Sequence, residues 1–329
     1  MHRRDIHQQS DFHEYVRIDD GSVPPADPAR IDVAVLDMNH SWPNVGHDAL
    51  VHAVVEAAEE YRPALTTAGL TVRVISYDVR RRFQLPEAPN GRFSLYLGTG
   101  GPGHLDPRRN DGVQPWAQGI KEDPAWEKPL FRLFESIHGN PRAALVAVCH
   151  SFGLLCRWSG VATPQMRPQK SSGMPMNVLS GEGASHPWFS RFSRSLQDGR
   201  TFRVVDNRLF DLDLERRGSA VALAFDATHE NAVTMIELAR DPDTGMPRVL
   251  GVNHHPEIID REHILAVLEE KRVHRDVSEA WYRERAHTMS ELFQGESERQ
   301  SRVTSEFTLL GVLRHHVGRL VESRSQIHP

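Results

Sequence analysis

The first thirty or so residues carry almost no apolar pattern and close on Pro24, Pro25 and Pro28; the texture changes at Ile31. From there, short aliphatic runs alternate with longer amphipathic stretches. Residues 33–36 predict a strand, and residues 48–68 set Leu50, Val54, Ala57, Ala58 and Leu65 at helical spacing, with a break or restart at Pro63. Strands are predicted over 72–77, 93–97 and 143–148, and helices over 124–138 and 154–158, the second ended by Gly160. Such alternation implies a parallel, doubly wound sheet. Residues 162–187, rich in Pro, Ser, Gly and Met, read as loop and short strands. Four β runs at 202–205, 220–225, 233–238 and 249–253 belong at one side of the same sheet. From Arg261 onward the pattern is helical. Within it Val303, Phe307, Leu310, Leu313, Val317 and Leu320 form a stripe that has to be buried, against this chain's own core or against another chain. The organisation expected is a polar arm of little function (1–30), one α/β domain (31–270) and a helical C-terminal extension (271–329).

Composition narrows the class. With 39% hydrophobic residues and 23 glycines in 329 positions, the chain has the make-up of a folded domain, which excludes a disordered, collagen-like or coiled-coil protein. The longest apolar run, 143–148, is far short of the roughly 18 residues a membrane span needs. The polar N-terminus lacks an apolar signal core, so the cytoplasm is the expected location. Basic residues number 39 against 44 acidic, a net charge of -5, and the longest basic run is Arg80 to Arg82, which disfavours a nucleic-acid partner. Cys149 and Cys156, placed on one helix, sit about 10 Å apart, too far for a disulfide, so both are expected as free thiols.

Three segments carry candidate chemistry. In the first, the run from Leu145 to Val148 stops at Cys149 and a helix begins at once, presenting the thiol on a sharp elbow at a helix N-terminus, where the positive potential favours a thiolate. In the second, His255-Pro256-Glu257 follows a strand; Pro256 forces His255 into an extended conformation, so the carboxylate can hold the imidazole. The third is Gly98-Thr99-Gly100-Gly101-Pro102-Gly103. It fits a dinucleotide fingerprint formally, but Pro102 and Pro107 stand where that motif opens a helix, which leaves exposed backbone N–H groups of an oxyanion hole or a plain tight turn. Ser151, in a degenerate serine-hydrolase elbow, is a rival nucleophile. The 19 histidines lie in no metal-binding spacing, so no metal or cofactor is implied.

Together these segments resemble the class I glutamine amidotransferase family, in the same order along the chain: Gly100-Gly101-Pro102-Gly103 for its oxyanion strand, Val148-Cys149 for its elbow, and His255-Pro256-Glu257 for the rest of its triad. The resemblance covers roughly residues 31–270. It implies a flavodoxin-like, mostly parallel sheet flanked by helices, with Cys149 as nucleophile, His255 as base and Glu257 as its orienter. It also implies an oxyanion and substrate site at Gly100, Gly101, His150, Ser151 and Gly153, a γ-glutamyl thioester, and ammonia as the first product. Where the family elbow reads Gly-x-Cys-x-Gly-x-Gln, this chain has Ala147, Ser151 and Gly153. The absent glutamine helps hold substrate in the family, so free L-glutamine is expected to be a poor substrate. A larger amide would be shaped by the segments 104–123 and 163–185. The expected activity is therefore a cysteine-dependent amide hydrolase or amidotransferase-like protein. The C-terminal helices are a candidate contact for a separate synthase that accepts ammonia, or for a second copy. The competing reading is a catalytically degenerate subunit kept as a binding scaffold.

Overall fold

The computed structural model describes residues 6–326, apart from 8, 20, 43, 90, 216–219 and 276. The first half contains β1 (His13–Arg17), β2 (Arg30–Asp37), α1 (Gly46–Glu59), α2 (Arg62–Ala68), β3 (Thr71–Asp78), α3 (Val79–Arg82), β4 (Phe93–Gly98), α4 (Glu127–Gly139), β5 (Ala144–Val148) and α5 (His150–Ser159). Then follow β6 (Ala162–Met166), β7 (Met176–Leu179), α6 (Gly181–Ser185), α7 (Phe189–Ser195), β8 (Thr201–Arg203), β9 (Phe210–Leu214), β10 (Val221–Asp226), β11 (Val233–Arg240) and β12 (Pro247–Val252). Helices α8 (Arg261–Val273), α9 (Glu279–Leu292), α10 (Glu296–Ser305) and α11 (Gly311–Ser325) close the chain, the last two joined by a π turn at Glu306–Leu310.

Ten strands make one sheet, ordered β1-β3-β2-β4-β5-β12-β11-β10-β7-β8. From β1 to β12 every pairing is parallel, and from β12 to β8 every pairing is antiparallel. The strands β3-β2-β4-β5-β12, counted among themselves, run 2-1-3-4-5, the flavodoxin-like order. Helices cover both faces of this part, so its strands have no solvent face. That is why β2 and β5 are nearly continuous apolar runs and are buried along their length. Strand β10, in the antiparallel part, leaves several positions half-exposed.

Two expectations change. Residues 13–17 are not a loose arm: β1 adds a parallel edge strand, with Tyr15 opposite Val74. The segment after Gly160 holds the short strands expected there, β6 and β7, with β6 pairing to β9 in a separate two-stranded sheet, but it also holds the short helix α6. The break expected at Pro63 lies between α1 and α2, with Pro63 in the first turn of α2, where a missing N–H costs no hydrogen bond. The apolar stripe of the last helices packs on the chain's own core. Leu310, Leu313 and Val317 are buried there, with Val303, Phe307 and Leu320 partly buried beside them. Further ties are His316 Nε2 to the Pro247 carbonyl (2.8 Å), and the Trp188 indole N–H donating to the Phe307 carbonyl (2.8 Å). Among the described residues no helix is long and apolar enough to cross a membrane.

Candidate active site

Four parallel strands deliver the site at their carboxyl ends, where open α/β sheets place ligands. The loop after β2 brings Asn44 and Gly46, the turn after β4 brings Gly101, the end of β5 brings Cys149, and the end of β12 brings Asn253 and His255. All line one cavity of about 290 Å³.

Cys149 is the residue between β5 and α5, and its backbone is at φ 50°, ψ -102°. A non-glycine residue at positive φ is strained and has to be held by its surroundings. Its N–H donates to the Val252 carbonyl (2.8 Å), and its own carbonyl accepts from Gly153 N–H (3.0 Å). The elbow is thus clamped between β12 and the first turn of α5, with the partly exposed thiol at the helix's positive end. The second cysteine, Cys156, is buried and also unpaired, and burial holds its thiol well above the ordinary range.

His255 lies beside the Cys149 sulfur, with which it interacts electrostatically, and its Nδ1 lies 2.7 Å from Glu257 Oε1. Glu257 is completely buried. Burial opposes charge on His255, but the Glu257 carboxylate, the Cys149 sulfur and the hydrogen bond to Glu257 outweigh it and hold the imidazole well above its usual pKa. The structure therefore joins all three predicted triad side chains.

Gly100 packs so closely that a Cβ there would lie 2.9 Å from His255 Cε1 and 3.7 Å from Cys149 Sγ, so a side chain would push into the Cys–His contact. Gly101 reaches the cavity wall beside His150, whose backbone N–H heads α5, where helices lack internal acceptors. Burial first, and then the nearby Arg80 and Arg157, hold the His150 ring well below its usual pKa and neutral.

The remaining predicted contacts do not reach the wall. Ser151 is fully buried and its hydroxyl donates to the Thr99 carbonyl (2.7 Å), bracing the glycine turn from behind and facing away from a nucleophile's place. Gly153 faces Leu105: a Cβ at 153 would meet Leu105 Cδ1 at 2.5 Å, so a leucine on the cavity wall fills the space next to Gly153.

No sequence motif marks the rest of the cavity lining. It is formed by Lys170, Asp206 and Arg208 together with Trp281, Arg285 and Met289 from α9. Arg208 is buried and ion-paired with Asp206, Asp211 and Asp226. The Ser171 hydroxyl donates to Asp206 (2.5 Å). Gly46 was also missed; a Cβ there would lie 2.8 Å from Glu257 Oε1, so the start of α1 abuts the buried carboxylate. Among the described residues no cluster of three or more His, Cys, Asp or Glu side chains could hold a metal ion.

No family model and no curated protein matches the sequence. Among solved structures, the chain is similar to a glutamine amidotransferase from Thermotoga maritima, at 15% identity and a TM-score of 0.49 over 88% of this chain and 98% of that one. It is also similar to a glutamine amido transferase from Methylobacillus flagellatus, at 15% identity and a TM-score of 0.47 over 91% of this chain and 95% of that one.

Proposed function

We propose that this chain is a cysteine-dependent amide hydrolase of the class I glutamine amidotransferase type. The observation that carries the reading is a partly exposed thiol on a strained elbow, beside an imidazole backed by a buried carboxylate and open to a cavity. In this reading the Cys149 thiolate adds to the amide carbonyl carbon. The N–H groups of Gly101 and His150 hold the oxyanion, an effect worth about 3–4 kcal/mol per donor. As the C–N bond breaks, His255 gives its proton to the departing amine and an acyl thioester remains. His255 then takes a proton from water, the hydroxyl attacks the thioester, and the carboxylic acid and Cys149 are released. Glu257 holds the imidazole in register through both half-reactions.

The catalytic unit is read as residues 31–270, with the helices after it completing the core and one cavity wall. Free L-glutamine is a poor substrate in this reading, since Leu105 occupies the space beside Gly153. Transfer of ammonia to a separate synthase is the narrower possibility within the same chemistry.

Mass spectrometry after incubation with a glutamine-analogue electrophile and with a panel of amides tests the reading, because the adduct mass reports both the nucleophile and the acyl group. Cys149→Ala should abolish adduct and hydrolysis, whereas Ser151→Ala should keep most of both. The reverse ranking would overturn the assignment, and an intact protein that hydrolyses no amide would favour the scaffold reading.

A further inference from the structure

We infer that the cavity selects amides whose departing amine carries a carboxylate, read by Lys170 and Arg285; this rests on the amide-hydrolase reading above. In this reading the proton transfer sets which half of the substrate faces these cations. His255 must hand its proton to the departing nitrogen, so that half lies on His255's side of Cys149, away from Gly101 and His150. On that side the His255 backbone N–H donates to the Val205 carbonyl (2.8 Å). The next residues, 206–208, are zipped to 171–173 by paired backbone hydrogen bonds between Gly173 and Asp206 and between Ser171 and Arg208. Lys170 heads that zipped segment and is close enough to Cys149, Arg285 and, more weakly, Asp206 to interact electrostatically with all three.

Charge balance on this wall supplies the second argument. Arg208 is matched by three acids, and Asp206, the one acid lining the cavity among the described residues, is engaged by Arg208 and Ser171. Lys170 and Arg285 have no carboxylate within ion-pair distance among the described residues; Arg285 lies over the Trp281 ring, 5.8 Å from its centroid. Ammonia carries no carboxylate to offer either cation. An amino-acid-like amine carries one, and Trp281 and Met289 line the same cavity and offer apolar surface to its carbon skeleton.

A charged and a neutral alkylating agent of nearly equal size test this without knowledge of the acyl group. Rates of Cys149 modification by iodoacetate and by iodoacetamide are measured on the full chain by peptide mass mapping. The iodoacetate to iodoacetamide ratio should fall about fivefold in Lys170→Met/Arg285→Met, the size of one exposed charge interaction, and further in Lys170→Glu. A ratio within twofold of wild type in both variants overturns the proposal. In a matched amide pair, wild type should favour the carboxylate-bearing amine over its carboxamide by about tenfold in kcat/KM, mostly through KM. Equal turnover of the pair also overturns it. Cys149 alkylation without turnover of any amide would instead count against the hydrolase reading, and the alkylation ratio would still decide whether the cations select charge.

Discussion

At the scale of single residues, the contact between Gly153 and Leu105 makes a specific claim about substrate choice. A glutamine at 153 gains helix propensity over glycine, worth about 0.5–1 kcal/mol, but its Cβ would collide with Leu105. Gly153→Gln alone should therefore destabilise the protein by about 1–3 kcal/mol, the usual range for overpacking. Adding Leu105→Ala should recover that loss and raise turnover of free L-glutamine above the wild-type level. Urea midpoints and ammonia release measure the two halves, and a fully stable single variant would show that Leu105 yields. The elbow, the imidazole and its carboxylate were legible in the sequence because each lies in local syntax: a strand ending in Cys149, and a proline fixing the spacing of His255 and Glu257. Lys170, Arg208 and Arg285 were not, since distant loops and a separate helix bring them together with no periodicity or motif. Ser151 was misplaced because sequence spacing says nothing about which way the first turn of α5 faces.

Among the elements, strands covered on both faces announced themselves as unbroken apolar runs. Those on edges did not: β1, with the sequence HEYVR, owes its strand to pairing with β3, and β9, FDLDL, to pairing with β6. The C-terminal helices offer the sharper test. Leu309, Leu310, Val312, Leu313, Val317 and Val321 are buried against the main core. At about 1.5–3 kcal/mol each as an upper range, their burial is worth roughly 10 kcal/mol, comparable to the whole stability of an ordinary domain. Truncation after Gln294 should therefore give aggregated or unfolded protein by light scattering and circular dichroism. A folded, active monomer released from a dimer would assign these helices to an interface instead.

For the molecule as a whole, buried histidines set the pH response of stability. Burial pushes His254 down to about 3, and His104 and His316 to about 4, so all three fold in the neutral form. Unfolded, each titrates near 6.5, so as pH falls below that value the unfolded chain takes up protons that the native state refuses. Stability should then drop by about 1.4 kcal/mol per pH unit for each. His255 has the opposite sign. Its native pKa is raised, so its contribution is full below about 6.5 and declines as pH rises above it. Thermal melts from pH 5 to 8.5 should show maximal stability near pH 6.5. His255→Gln should flatten the alkaline limb alone, and His316→Gln should soften the acid limb; a wild-type curve that is flat across this range would contradict both assignments.

The pairing of β5 with β12 joins residues about a hundred positions apart, Ala147 with Gly251 among them, and Cys149 and His255 both lie just past the carboxyl end of that parallel ladder. Closing so long a loop is slow compared with forming α5 or the β10–β11 hairpin. During refolding, thiol reactivity therefore reports the closing of one particular seam: helical and strand signals should recover first, and fast alkylation of Cys149 only once its histidine has arrived.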